Sequence, residues 1–135
     1  MAYAFSAYYA GIIRDHLSQG TDAPTAYTDL YVTIFDDTDT ELSSNLTNAR
    51  AAVPTGSGWT VTNTSFENAN QIDLGEASTT LENVTDVAIF DAETGGNLLL
   101  RGELQEAPFN IANGTSFTFE AGDIDVDIQD FTEQP

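Results

Sequence analysis

Apolar and polar positions alternate along much of this chain, and one stretch shows the pattern most plainly. In Val84 to Leu104, VTDVAIFDAETGGNLLLRGEL, the residues Val84, Asp86 and Ala88 alternate with Thr85, Val87 and Ile89 before Phe90 and Asp91 lead into a turn. Glu93, Thr94, Gly95 and Gly96 supply that turn, because glycine reaches positive φ without steric cost. Asn97 to Leu104 returns as a second apolar strand. The period of two predicts a β-hairpin. Nothing in it suggests catalysis.

Near the start the period changes. Tyr9, Ile12, Ile13, His16 and Leu17 follow helical spacing, Ser6 stands where an N-cap belongs, and Gly20 stands where a left-handed residue ends a helix. A helix is expected over about 6–19. Leu30 to Phe35 reads as a strand with apolar residues on both faces, closed by the charged loop Asp36 to Glu41. Arg50 to Val53 is a short strand candidate, with a turn at Pro54, Gly56 and Gly58. Trp59, Val61, Asn63 and Ser65 share one face of a single further strand, with threonines on the other.

Gln71 to Leu74 is another extended piece, and Gly75 to Thr80 reads as loop. Phe109 to Ile111 precedes a turn at Asn113 and Gly114; Phe117 and Phe119 alternate with Thr118 and Glu120. After a turn at Ala121 and Gly122, Ile124, Val126 and Ile128 alternate with Asp123, Asp125 and Asp127, giving one apolar and one acidic face. Short strands at regular spacing behind one helix predict a mainly β fold. The expected architecture is an antiparallel β-sandwich with one short N-terminal α-helix, a single domain over 1–135 with the sandwich at about 28–130.

Composition narrows the partners. The 135 residues carry 22 acidic side chains against Arg14, Arg50 and Arg101, with no lysine, for a formal net charge of −19. Such a surface repels nucleic acid, whose binding requires Lys and Arg to neutralise phosphates, and it repels anionic membranes. Acid excess without lysine resembles the composition of proteins from extremely salty surroundings, where a Debye length of ~3 Å at 1 M screens self-repulsion. The chain has no cysteine, which excludes disulfides and thiol chemistry. No run approaches the ~20 apolar residues that span a bilayer. The N-terminus lacks the basic start and cleavage site of a signal peptide, so release by lysis is the expected route to brine.

Candidate chemistry is sparse. His16, the only histidine, sits at helical spacing with Ile12 and Ile13 and reads as a packing or surface residue rather than a general base. Asp36, Asp37 and Asp39, with Glu41, could offer oxygens to Ca, Mg, Na or K, but lack the glycine and distal glutamate of an EF-hand loop. Asp123, Asp125 and Asp127 form a second carboxylate ladder, spaced about 7 Å apart, too wide for two neighbours to share one ion without other ligands. A solvated acidic surface is the favoured account of both. Asn45, Asn63, Asn83 and Asn113 begin N-glycosylation triplets, which a chain this rich in serine and threonine also produces by chance. Tyr8, Tyr9, Tyr27 and Tyr31 cluster early, where aromatic residues dock a helix on a sheet or line a sugar-binding face.

Three phrases carry a resemblance. Tyr8 to Phe35 joins an amphipathic helix ending in DH to a GT turn and an LYVxI strand; the hairpin contains FDAETGGNLLLRGEL; the finish is PFNIANGTSFTFEAGDIDVDI. Together they resemble a family of small structural proteins of tailed viruses, usually labelled tail fibre proteins. The likeness runs over nearly the whole chain, with FDAETGGNLL its most specific part. The segment Asp36 to Asn70 departs from the family pattern, and Val84-Thr85 stands where a tryptophan-glycine pair is usual.

The resemblance implies a non-enzymatic virion subunit, on the capsid surface as a turret or decoration, or in the tail. Its partners would be copies of itself and other virion proteins, meeting at Tyr8, Tyr9, Phe131 and exposed strand edges. The tail from Phe131 to Pro135 reads as frayed or held by a neighbouring subunit. A carbohydrate- or host-surface-binding module is the alternative, and it predicts an exposed aromatic platform.

Overall fold

The computed structural model describes residues 3–22 and 25–128. Strand β1 (Tyr3–Phe5) leads into helix α1 (Ala7–Gln19), followed by β2 (Asp29–Asp36), β3 (Ala51–Pro54), β4 (Trp59–Thr62), β5 (Ser65–Asn68) and β6 (Ile72–Glu76). Then come β7 (Leu81–Phe90), β8 (Leu98–Glu103), β9 (Phe109–Ile111), β10 (Ser116–Phe119) and β11 (Asp125–Asp127). All pairings are antiparallel. One sheet runs β1-β8-β7-β2-β3 with β9 also on β7; two smaller ones are β10-β6 and β11-β5-β4. The mainly β, sandwich-like architecture with one N-terminal helix is as expected.

The inner face of the large sheet supplies Val32, Ile34, Val87, Ile89 and Leu100 to one core, which the small sheets close with Trp59, Leu74, Phe119 and Val126. Each such aliphatic side chain, fully buried, stabilises the fold by about 1.5–3 kcal/mol. Asn68 and Thr33 are the buried polar exceptions, and the Asn68 amide is fully used. Its Nδ2 donates to Asn70 O and Glu120 O, and its Oδ1 accepts from Ile124 N at 2.9 Å. Those bonds tie β5 to the turn before β11.

Helix α1 begins and ends as its sequence signals indicate. Ser6 Oγ accepts from Tyr9 N, and Gly20, at φ 68°, donates its N–H to Asp15 O. Yet no residue of α1 is buried. The helix lies on the edge of the fold rather than in its core.

Three expectations need correcting, and one strand was not expected at all. The single strand expected from Trp59 to Ser65 is a hairpin. Asn63 takes φ 54°, the chain reverses, and Val61 lies opposite Phe66. Asparagine tolerates that left-handed conformation, so the alternation of Trp59, Val61 and Asn63 does not mark one continuous strand. Strand β6 continues through Gly75 to Glu76, because a register shift in β10 accommodates Gly75 at φ 83°. Ile128 does not continue the buried face of Ile124 and Val126; it is 47 % exposed, beyond the end of β11. Strand β1 lacked a readable pattern in three residues and takes its place only by pairing with β8.

Strand β7 also breaks strict alternation, since Val84 and Val87 are both fully buried. Register shifts against β2 and β9 near Val84 rotate the strand there, so that both residues reach the core.

Candidate functional site

Beyond the core, the outer face of the large sheet holds two of the three arginines. Arg50 precedes β3, and Arg101 lies on β8 opposite Ala88. The Arg50 fork meets Glu41 through both Nε and Nη2 at 2.8 Å, and its Nη1 donates to Ala92 O at 2.9 Å and Gly95 O at 2.7 Å. One side chain therefore pins the acidic loop after β2 and the β7–β8 turn together. Burial pushes the Glu41 carboxyl up, but hydrogen bonds from Arg50 and Ser43 and the Arg50 charge outweigh it, leaving Glu41 below its ordinary range.

Arg101 bonds Asp86 at 3.0 Å and also pairs with Asp39. Its guanidinium lies 4.3 Å from the centre of the Phe35 ring. The third, Arg14, pairs with its neighbour Asp15 at 2.9 Å on the exposed helix. Every arginine thus has a carboxylate partner, and the remaining acids define the surface.

The β7–β8 turn follows the same logic. Asp91 accepts from Asn97 N at 2.7 Å and Asn97 Nδ2 at 3.1 Å, closing the loop between them. Gly96 has φ 68°, and a Cβ there would come 2.5 Å from Asp91 Oδ1 and 2.6 Å from Ala92 Cβ. The residues of FDAETGGN are a turn held from inside by Asp91 and from below by Arg50.

The candidate cation residues lie in varied surroundings. Asp36 Oδ1 accepts from Thr38 N, Thr38 Oγ1 and Thr40 N, an internal brace for its own turn. Asp39 faces Arg101, and Asp37 is exposed with its backbone N–H on Asn83 O. Asp123 accepts from Glu120 N, and Asp127 from Thr64 Oγ1. Asp125 is exposed on β11. Among the described residues no three His, Asp or Glu side chains converge as a metal-holding group. His16 is exposed, its Nδ1 2.7 Å from the Thr21 carbonyl.

Of the expected contact residues, Tyr8 and Tyr9 lie on helix α1, which packs beside β1 and β8. Tyr8 is 45 % exposed; Tyr9 is half-buried and packs edge-on against Phe5 with ring centres 5.3 Å apart. Phe131 lies outside the described residues. Phe5, Tyr9, Ile13, Tyr27 and Leu30 line an apolar hollow of about 370 Å³. A neighbouring hollow of about 550 Å³ is lined by Leu30, Trp59, Val61, Phe66 and Ile128. Among the described residues, no charged side chain lines either. Burial raises the Tyr27 phenol above its ordinary range, with Tyr8, Asp91 and Tyr9 adding to the shift. Trp59 is buried, so it offers no aromatic platform; its Nε1 has no hydrogen-bond partner among the described residues.

Sequence patterns pointed to Tyr8 and Tyr9 but passed over Val61, Phe66 and Ile128. The signal available was the uncharged run Trp59 to Ser65 in a chain otherwise dense in carboxylates.

What the described surface offers is shape and contact: pinned loops, neutral hollows and free strand edges on an acidic β-sandwich. That is the outfit of a structural protein. The chain belongs to the family described as podophage GP4 fiber I protein gp80, which matches residues 4–127. It is accordingly a virion structural protein of the phage-fibre kind, located in the virus particle. No curated protein matches it.

Proposed function

We propose that this chain is a non-enzymatic fibre-type subunit of a tailed virus whose host lives in concentrated salt, and that it works as an oligomer. One observation carries the halophilic part of the reading: all three arginines pair with carboxylates, so none is left over to offset the many remaining acids. At a net charge of −19, copies in dilute buffer repel one another, whereas molar salt shortens the repulsion to ~3 Å. The neutral hollows at the α1 end support contact with other subunits, because an apolar surface of that size gains by being covered. Placement in the tail or on the capsid surface remains within this reading.

Urea unfolding across a KCl series is the direct test. The midpoint is expected to rise steeply toward about 2 M salt; a midpoint that is flat or falls with salt removes the halophilic reading. Cryo-EM of the purified particle tests the structural role, and a particle without this chain removes it.

A second reading, a host-surface glycan module, has one observation in its favour. Tyr9 and Tyr27 line one hollow, and Tyr8, 45 % exposed, precedes Tyr9 on helix α1. Screening against host surface glycans in molar salt tests it, with Tyr8→Ala as the variant that must lose binding.

A further inference from the structure

Strand β4 stands at the end of the β11-β5-β4 sheet, with one side unpaired among the described residues. Hydrogen bonding alternates along an antiparallel pair. Ala69 N donates to Gly58 O at 2.9 Å, which sets the phase: Gly58, Thr60 and Thr62 bond toward β5. Trp59, Val61 and Asn63 therefore aim their backbone groups at the open side. Trp59 N is occupied by Gly56 O at 3.2 Å. The carbonyl of Trp59, both groups of Val61 and the N–H of Asn63 are left.

Exposed edge strands are ordinarily guarded by charge, proline or cover. The opposite edge of this sheet is guarded, since β11 carries Asp125 and Asp127. The large sheet ends at β3 with Pro54. Strand β4 has no such guard: Thr60, Val61 and Thr62 are all exposed, and Val61 is 73 % exposed. Across the outer face, charge declines toward that edge. The register rows read Asp125, Glu67, Thr60 and then Asp127, Ser65, Thr62.

We propose that β4 is a self-pairing edge whose occupant is the β4 strand of a second copy, antiparallel about a twofold axis at Val61. The proposal rests on the oligomeric reading above and names its interface. Val61 of each copy exchanges N–H to C=O bonds with Val61 of the other, and Asn63 N–H of each reaches the Trp59 carbonyl of the other. The free groups on β4 are thus self-complementary. Charge selects the partner: a copy bearing −19 meets least repulsion where the facing strand is neutral and the carboxylates stand farthest away. The Val61 side chains then lie side by side on the inner face, next to the hollow of Trp59, Phe66 and Ile128. The closed interface is isologous and leaves no β4 edge free.

The test is sedimentation of the intact chain in about 2 M KCl, beside two variants. Val61→Pro removes an outward N–H that the β4–β5 ladder does not use, so the fold keeps its pairing while the dimer is lost. The wild type is expected at twice the chain mass and Val61→Pro at the chain mass. Val61→Cys introduces a single thiol, because the chain has no cysteine, and a short bis-maleimide should convert most of it to covalent dimer. Leu17→Cys, on a helix position 78 % exposed, should yield little. A dimer or trimer that survives Val61→Pro, or equal cross-linking at the two positions, overturns the β4 assignment while leaving an oligomer in place. A monomer at every salt concentration overturns both the interface and the oligomeric reading.

Discussion

The guanidinium carbon of Arg50 sits 3.7 Å from the centre of the Phe90 ring. Phe90 stacks on Phe35 at 6.3 Å with 13° between the ring planes, and Phe35 carries Arg101. The chain has dispensed with lysine, yet keeps these two arginines where a planar, five-donor fork lies over an aromatic ring and also reaches carboxylates or carbonyls. An ammonium group can do only one part of that. Their positions in the fold supply a physical reason why they survive in so acidic a protein.

Arg50→Ala is expected to destabilise the fold by about 3–5 kcal/mol, because Glu41 is left partly buried without its partner and the β7–β8 turn loses its tie. The Arg50 side chain is only 8 % exposed, so molar salt should recover little of the loss. Arg50→Lys should recover part of it. Urea unfolding in about 2 M KCl measures all three chains, and an Arg50→Ala midpoint equal to wild type would refute the keystone role.

Acid should act through the same pair. The folded Glu41 carboxyl lies below its ordinary value, so its contribution is fully present above about pH 4.3 and is lost as pH falls through the lowered folded value. Asp36, also held low against the effect of burial by its bonds from Thr38 and Thr40, works in the same direction. The stability difference between wild type and Glu41→Gln should therefore be flat near neutrality and shrink in acid. A difference independent of pH would contradict it.

The turn distinguishes its two glycines. Gly95 and Gly96 both have positive φ, but a Cβ on Gly95 meets open space while one on Gly96 meets Asp91 and Ala92. Gly95→Ala should cost about 1 kcal/mol for the left-handed conformation alone. Gly96→Ala should cost clearly more, read as the larger drop in thermal midpoint. Equal effects would mean that the turn shifts freely.

Glu67 and Asp125 lie directly opposite on β5 and β11. Like charges in that position destabilise a sheet by on the order of 0.5 kcal/mol, and salt screens the effect. Glu67→Gln should raise stability in dilute buffer and lose that advantage in molar KCl. A gain that is the same at both salt levels would show that repulsion is not its source.

Much of the fold could be read from local pattern. Helix α1, strand β2 and the β7–β8 hairpin announce themselves because their caps, alternation and turn glycines act within a few residues. The hairpin at Asn63 was less legible, since Asn-Thr between alternating residues also fits an uninterrupted strand. Strand β1 and the burial of both Val84 and Val87 depend on partners far along the chain.

The amino-acid order by itself determined the β-rich class, the acidic composition, the helix limits and the β7–β8 turn, because short-range sterics and composition suffice for these. Only the tertiary structure decided that Arg50 joins Glu41 to a turn more than forty residues away, that Asp36 braces its own turn while Asp39 faces Arg101, and that β4 ends a sheet uncharged and, among the described residues, unpaired. Those depend on which strands become neighbours, and strand neighbours are chosen by burial of the whole core rather than by any local pattern.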